Sequence, residues 1–384
     1  MDLWQVADIA GRTPFYFYDF ALVERRVAQL RDVLPDDVLI HYAIKANPMP
    51  ALVHRIAPIV DGLDVASLGE LQVALGTPVT RDQISFAGPG KQDHELAAAV
   101  AAGTVVNVES ADELSRLRRI EGTADRAARF ALRVNPDFRL GGSGMVMSGG
   151  ATQFGIDTDL VPKMLAVHGR EGLTGLHVFT GSQSLRTEAL KESVQQTFAL
   201  ADRLIDLLGL RLAHLNIGGG LGIPYFPGDT AIDLPEYGRH LTGQLRSWQA
   251  GHPDTEVVLE LGRYLVGEAG FFVSRVVERK QSRSRTFLVV DGGLNHHLAA
   301  SGNFGQVIRR NYPISAVTAK PDTEQETVSV VGPLCTPLDI LARDVPLPRC
   351  EQGDLVVVHQ SGAYGLTASP INFLSHPPPA EVLL

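Results

Sequence analysis

Cysteine is scarce in this 384-residue chain, which holds only Cys335 and Cys350. Two thiols without a CxxC pair or a histidine cluster exclude a disulfide framework and carry no zinc signature, so no resident metal is expected. Long apolar runs are missing as well. None approaches the ~20 residues of a membrane-spanning helix. The start, Met1-Asp2-Leu3-Trp4, has neither the basic region nor the apolar core of a signal peptide. Basic blocks are absent too. The net charge of −9 is built from interspersed acidic and basic residues, which argues against nucleic acid or a membrane surface as partner. What is present is 45% hydrophobic and 20% charged residues, a soluble globular composition with ample core. A cytoplasmic enzyme of one large domain or two ordinary ones is the expectation.

Residues 14–18, Pro-Phe-Tyr-Phe-Tyr, read as a short aromatic strand. Asp19 can cap a helix whose apolar Val23, Val27, Leu30 and Leu34 recur at helical spacing, and Pro35 ends it. Short apolar runs then alternate with helical patterns. The runs are Val38–Ile44, Gly62–Ala66, Ile84–Ala87, Thr104–Val108, Phe130–Val134, Gly175–Phe179, Ala213–Ile217 and Val257–Leu261. Helical patterns such as Leu68–Leu75, His94–Ala102, Ala111–Ile120, Glu188–Leu208 and Pro235–Gln249 lie between most of them. Near-continuous apolar strands joined by crossover helices mean a parallel sheet covered on both faces. Eight such units over about 220 residues match a (β/α)8 TIM barrel. A doubly wound open sheet is the alternative, because periodicity does not show closure.

After Gly262 the helical period fades. Strand-like runs take over at Phe271–Val277, Thr286–Val290, Thr327–Val331 and Asp354–Val358, separated by Gly, Pro and Asn turns. The expected class is therefore α/β. A barrel covers residues 20–262, and a C-terminal β domain uses residues 263–384 together with 1–19, the N-terminal aromatic strand joining it. The run Pro377-Pro378-Pro379 cannot continue a strand or a helix.

Polar residues collect where these strands end, the face on which barrels of this kind carry function. Lys45 follows the first strand. Asp64 and Ser67 close the second, and Arg133 and Asn135 the fifth. His177, Ser182 and Gln183 flank the end of the sixth. Asn216 and the run Gly218-Gly219-Gly220-Leu221-Gly222 close the seventh, and Glu260 and Arg263 the eighth. A lysine at a buried strand end is either a rim residue with its stem packed on apolar surface or an amine available for a Schiff base with an aldehyde. Three glycines after a strand let backbone N–H groups converge on one phosphate, and the spacing does not fit a dinucleotide fingerprint. Glu260 needs a partner: Arg263 in an ion pair, or a protonated ring nitrogen. Lysine, phosphate cradle and carboxylate together describe pyridoxal 5′-phosphate. Cys335 lies between Gly332 and Pro337 in a turn-rich loop. It is a small buried hydrophobe or a thiol acid–base, and Tyr364 offers a phenol on another turn.

These motifs, in order, resemble those of the fold-type III pyridoxal-phosphate decarboxylases, which include diaminopimelate and ornithine decarboxylases. The resemblance runs nearly end to end. It rests on Tyr42-Ala43-Ile44-Lys45-Ala46-Asn47, Asp64-Val65-Ala66-Ser67, Gly181-Ser182-Gln183 and Asn216-Ile217-Gly218-Gly219-Gly220. It continues through Glu260-Leu261-Gly262-Arg263-Tyr264, Gly332-Pro333-Leu334-Cys335 with Asp339, and Gly362-Ala363-Tyr364. It implies a barrel of the alanine-racemase type plus a β domain, working as a head-to-tail homodimer with shared active sites. Lys45 looks like the Schiff-base lysine and Glu260 like the pyridinium partner. Ser182, Gly219, Gly220, Gly262, Arg263 and Tyr364 look like phosphate or cofactor contacts, with Asp64 and Arg133 beside them. Cys335 looks like the proton donor reaching the other subunit's cofactor. Phe179 occupies the position of the histidine that usually stacks on the ring, two residues after His177, so either aromatic can cover the ring face.

The departures bear on the substrate. Thr336 stands where diaminopimelate decarboxylases usually carry an acid. Their arginine-containing stretch after Asp-Gly-Gly is replaced here by Leu294–Gly305, which includes His296 and His297. With Asp339, these residues fall on the substrate side by resemblance. The block from Gly142-Ser143-Gly144-Met145 to Gly149-Gly150-Ala151-Thr152-Gln153-Phe154-Gly155, with the His-His segment, resembles a specialised-metabolism subfamily. Its members act on carrier-protein-bound glutamyl groups or on amino-acid units of siderophores. Diaminopimelate decarboxylation is the alternative substrate reading. An amino-acid racemase would want a catalytic tyrosine where Cys335 stands. A non-catalytic pyridoxal-phosphate carrier would lack the second domain.

Overall fold

The computed structural model describes residues 2–142, 144–304, 306, 308–318 and 324–384. Ser143 and Gly305, part of the segments singled out above, lie outside the described residues. The chain falls into two compact units. One comprises Glu24–Ile223 and Thr230–Tyr264, the other Met1–Val23, Pro224–Asp229 and Leu265–Leu384.

The first unit is a closed barrel of eight parallel strands: Val38–Ala43, Gly62–Val65, Ile84–Phe86, Val105–Val108, Arg129–Asn135, Leu173–His177, His214–Asn216 and Glu256–Leu261. Each pairs with its sequence neighbours. The last returns to the first, Leu259 opposite Ile40 and Leu261 opposite Tyr42. That closure rules out the open sheet. Ile40, Leu63, Phe86, Val106, Leu132, Leu176, Leu215 and Leu259 are all buried, which is why these strands read as apolar runs.

The side chains that bond across the strands form a second, polar set. Asp64 accepts from Ser85 Oγ, Asn107 Nδ2 donates to Ser85 Oγ at 3.2 Å, and His41 Nδ1 lies 3.5 Å from Asp64. Two glycines make room for imidazoles. A Cβ on Gly62 would meet His41 Nε2 at 2.2 Å, and one on Gly175 would meet the His214 ring at 2.5 Å. Burial pushes His214 down to about 4. Burial alone would also lower His41, but the Asp64 carboxylate overrides it and raises the pKa.

The helices follow their local signals. Ser67 and Ser110 cap Leu68–Leu75 and Ala111–Glu121, accepting from Glu70 N and Glu113 N. Asp19 accepts from Ala21 N at 3.1 Å at the head of Phe20–Arg31. A helix at Val161–His168 had no counterpart in the sequence reading. Its Pro162 falls in the first turn, where a missing N–H costs nothing.

The second unit is a mixed sheet built on the long strand Gly270–Ser282. The strand pairs antiparallel with Phe15–Tyr18, Leu355–Val358 and Arg285–Val290. Phe15, Phe17, Val273, Leu355, Val357 and Val382 form its core. Four further strands, Ile314–Val317, Gln325–Val331, Ile340–Pro348 and Ala380–Leu383, join it. Ile340–Pro348 contains Pro346 and Pro348 and ends the strand order, the edge position that proline tolerates. Ala380–Leu383 resumes after the proline run and pairs parallel with Phe15–Tyr18. The excursion Pro224–Asp229 also packs here. The Tyr225 and Tyr312 rings pack at a tilt with centroids 4.8 Å apart, and Arg310 lies 3.9 Å over the Phe226 ring and 3.2 Å from Asp229.

Candidate active site

The first barrel strand ends in a single 3-10 turn, Ile44–Ala46, because Pro48 and Pro50 redirect the chain into the helix Pro50–Ile56. That turn holds Lys45 at the C-terminal end of the barrel. Lys45 Nζ is 3.1 Å from Glu260 Oε1. The side chains are 40% and 3% exposed, so a reachable amine faces a fully enclosed carboxylate. The other oxygen, Glu260 Oε2, lies 3.1 Å from His177 Nε2. Burial alone would raise the Glu260 carboxyl, but the Lys45 ammonium and His177 hold it well below the usual carboxylate range. Glu260 is therefore an anion. The Phe179 ring centroid sits 5.2 Å from Lys45 Nζ and meets His177 edge-on at 6.3 Å. His177 is buried, and neither ring nitrogen has an aligned hydrogen-bond partner among the described residues.

The glycine run lies beside this pair. Asn216 Oδ1 accepts from Gly218 N at 2.8 Å and sets the turn. Gly218 and Gly220 take φ of 70° and 90°, which side-chain-bearing residues rarely adopt. At Gly219 the demand is space: a Cβ there would sit 2.0 Å from Glu260 O. The segment carrying Ser182 runs alongside, with Ser184 N donating to Gly220 O and Gly222 N to Ser184 O, both at 2.9 Å. Gly262 is tight as well, since a Cβ would lie 3.0 Å from that of Ala46. Arg263 follows it and opens the short helix Arg263–Val266.

Asp64 and Arg133 lie in the same barrel. Asp64 Oδ2 is buried without a hydrogen-bond partner among the described residues. Arg133 Nη1 donates to Glu109 Oε1 at 2.9 Å, and its guanidinium lies 4.8 Å over the Phe154 ring. Sequence reasoning missed Glu109. The fourth apolar run was taken to end at Val108, and the strand-end rule that flagged Glu260 would have found the carboxylate one residue on. It also missed Lys91, which is buried, lies 2.7 Å from Glu113, and donates to Gly88 O and Asn107 O.

The second unit holds the remaining candidates. Cys335 is a free, exposed thiol, and Thr336 beside it is half-buried. Tyr364 is half-buried on a turn with φ of 54°. Three substrate-side candidates are enclosed within this unit. Asp339 is buried, and its two oxygens accept from Leu294 N at 2.7 Å and Leu334 N at 2.8 Å, so it ties two loops together. His297 is buried, bonds Ser361 Oγ at 2.9 Å and packs on Tyr16, Phe272 and Tyr312; burial pushes it down to about 3. His296 is buried too, with Nε2 on Pro377 O at 3.0 Å. Nothing in the sequence reveals the aromatic cluster around His297.

A buried anion held between an amine and an imidazole, and a cradle that any Cβ would fill, fit pyridoxal phosphate, and they define a barrel enzyme of that cofactor class. The chain belongs to the pyridoxal-dependent decarboxylases, whose pyridoxal binding domain is matched by residues 20–267. It is 37% identical to the L-glutamyl-[BtrI acyl-carrier protein] decarboxylase of Niallia circulans, covering 97% of this chain and 88% of that one. It is 32% identical to the diaminopimelate decarboxylase of Aquifex aeolicus, covering 100% and 89%. Helicobacter pylori diaminopimelate decarboxylase complexed with L-lysine superposes with a TM-score of 0.85 at 28% identity, covering 97% of this chain and 92% of that one. The protein is thus a pyridoxal 5′-phosphate-dependent amino-acid decarboxylase.

Proposed function

We propose that this decarboxylase acts on a glutamyl group tethered to a carrier protein. The observation that carries the reading is the 37% identity, over nearly the whole chain, to a relative named for that substrate. The chemistry agrees. Decarboxylation needs the amine and the departing carboxylate on one carbon, so the tether occupies the side-chain carboxyl. A tethered end carries no free charge, and Thr336 offers none to meet one.

Bound pyridoxal phosphate supplies an aldehyde for the amine and a sink for the electrons left as CO2 departs. The chain's own residues do the rest. Lys45 would anchor the cofactor through its amine and would serve as a base beside it. Glu260 keeps a proton on the ring nitrogen. Gly218–Gly220, Ser182, Gly262, Arg263 and Tyr364 hold the phosphate, and Phe179 or His177 covers the ring. A carrier thioester should release CO2 with a kcat/KM at least about a hundredfold above free meso-diaminopimelate. Preference for the free diamino acid would reverse the assignment.

We further infer a cytoplasmic homodimer in which Cys335 protonates the carbon that has lost CO2 in the partner's site. An exposed thiol on a loop suits that role. Inactive Lys45→Ala protein mixed with Cys335→Ala protein should regain turnover, because each mixed dimer then has one site with both residues. No recovery after subunit exchange contradicts shared sites.

A further inference from the structure

One buried carboxylate near the barrel mouth has no part in the scheme above. Glu109 follows the fourth strand and is 5% exposed. Its Oε1 accepts from Gly88 N at 2.6 Å and from Arg133 Nη1 at 2.9 Å, and its Oε2 accepts from Gly155 N at 3.1 Å. Its own backbone N–H donates to Glu113 Oε2 at 3.0 Å, and Glu113 lies 2.7 Å from buried Lys91. The result is a buried row in which two carboxylates, Glu113 and Glu109, stand between two cations, Lys91 and Arg133, from the third strand's loop to the fifth strand. Burial alone would raise the Glu109 carboxyl, but Arg133 and Lys91 outweigh it and lower the pKa.

The last member of the row faces the reaction centre. Arg133 pairs in register with His177 across adjacent strands, and His177 touches Glu260. Paired residues of parallel strands project on the same side of the sheet. Nη1 is the one Arg133 donor with a protein acceptor among the described residues. Glu109 and the Phe154 face clamp the guanidinium, so the rest of its fork is preorganised for an acceptor supplied by a ligand.

We propose that Glu109 is a positioning residue: it fixes Arg133 for contact with the bound cofactor. It also ties that contact to the Gly88 and Gly155 loops. This rests on reading Arg133 as a cofactor contact. A neutral amide could still accept from Gly88 N, but it would also turn N–H groups toward Gly155 N or the guanidinium.

The test is titration of cofactor-free protein with pyridoxal phosphate, followed by absorbance, for wild type, Glu109→Gln, Glu109→Asp, Arg133→Gln and the double variant Glu109→Gln/Arg133→Gln. Glu109→Gln should raise the Kd about tenfold. The double variant should bind no more weakly than Arg133→Gln alone, and Glu109→Asp should recover part of the loss. Additive losses overturn the proposal. So does a Glu109→Gln protein with lowered Tm and unchanged Kd, which is what a purely structural role predicts. If Glu109→Gln fails to fold, Glu109→Asp against Arg133→Gln gives the same comparison. A silent Arg133→Gln removes the reading of Arg133 on which the proposal rests, whereas a wild type that takes up no cofactor contradicts the family assignment itself.

Discussion

Lys45→Ala should yield a folded protein without the long-wavelength absorbance of bound cofactor, with turnover at background. Among the described lysines, Lys45 is the one whose amine stands 3.1 Å from a strand-end carboxylate beside the glycine cradle. Lys45→Arg separates the two roles of that amine. A guanidinium keeps the positive charge opposite Glu260, so the fold keeps its ion pair, but it cannot condense with an aldehyde. Absorbance and activity should therefore be lost in both variants, while Lys45→Arg stays nearer wild type in Tm. Turnover surviving in either variant would remove the lysine from the chemistry.

Glu260→Gln should bind the cofactor and still lose about 10²–10³ in kcat, the scale of removing one buried electrostatic contact to developing charge. The amide has nearly the carboxylate's shape and can still meet His177. What it lacks is charge, and a carboxylate anion beside the ring nitrogen favours the protonated form of that nitrogen at neutral pH. Measuring kcat at saturating cofactor isolates this effect from binding. A loss under tenfold would mean that Glu260 serves the ion pair and little else.

Much of this was legible in the residues because burial on two faces writes itself as apolar runs. Leu68–Leu75 was read to the residue, since Ser67 and Gly76 punctuate it. The eight strands were found, but their closure was not, because pairing of Leu259 with Ile40 is a long-range fact with no local signature. In the second unit the limits were different. Ile340–Pro348 was hidden by its prolines, and Ile314–Val317 is only half-buried and carries no alternation strong enough to stand out. Site residues were legible where chemistry singles out a residue type at a strand end, as at Lys45 and Glu260. They were missed, or their surroundings were not legible, where context decides. Glu109 falls one residue beyond its apolar run, Asp339 takes its role from two backbone N–H groups, and His297 takes its own from three aromatic rings.

The most direct measurement is borohydride reduction of the cofactor-loaded protein followed by peptide mass mapping. The mass of a reduced pyridoxyl phosphate should appear on the peptide containing Lys45 and on no other. Label on the Lys91 peptide, or a protein that retains cofactor without any covalent label, would contradict the assignment of Lys45 as the anchor.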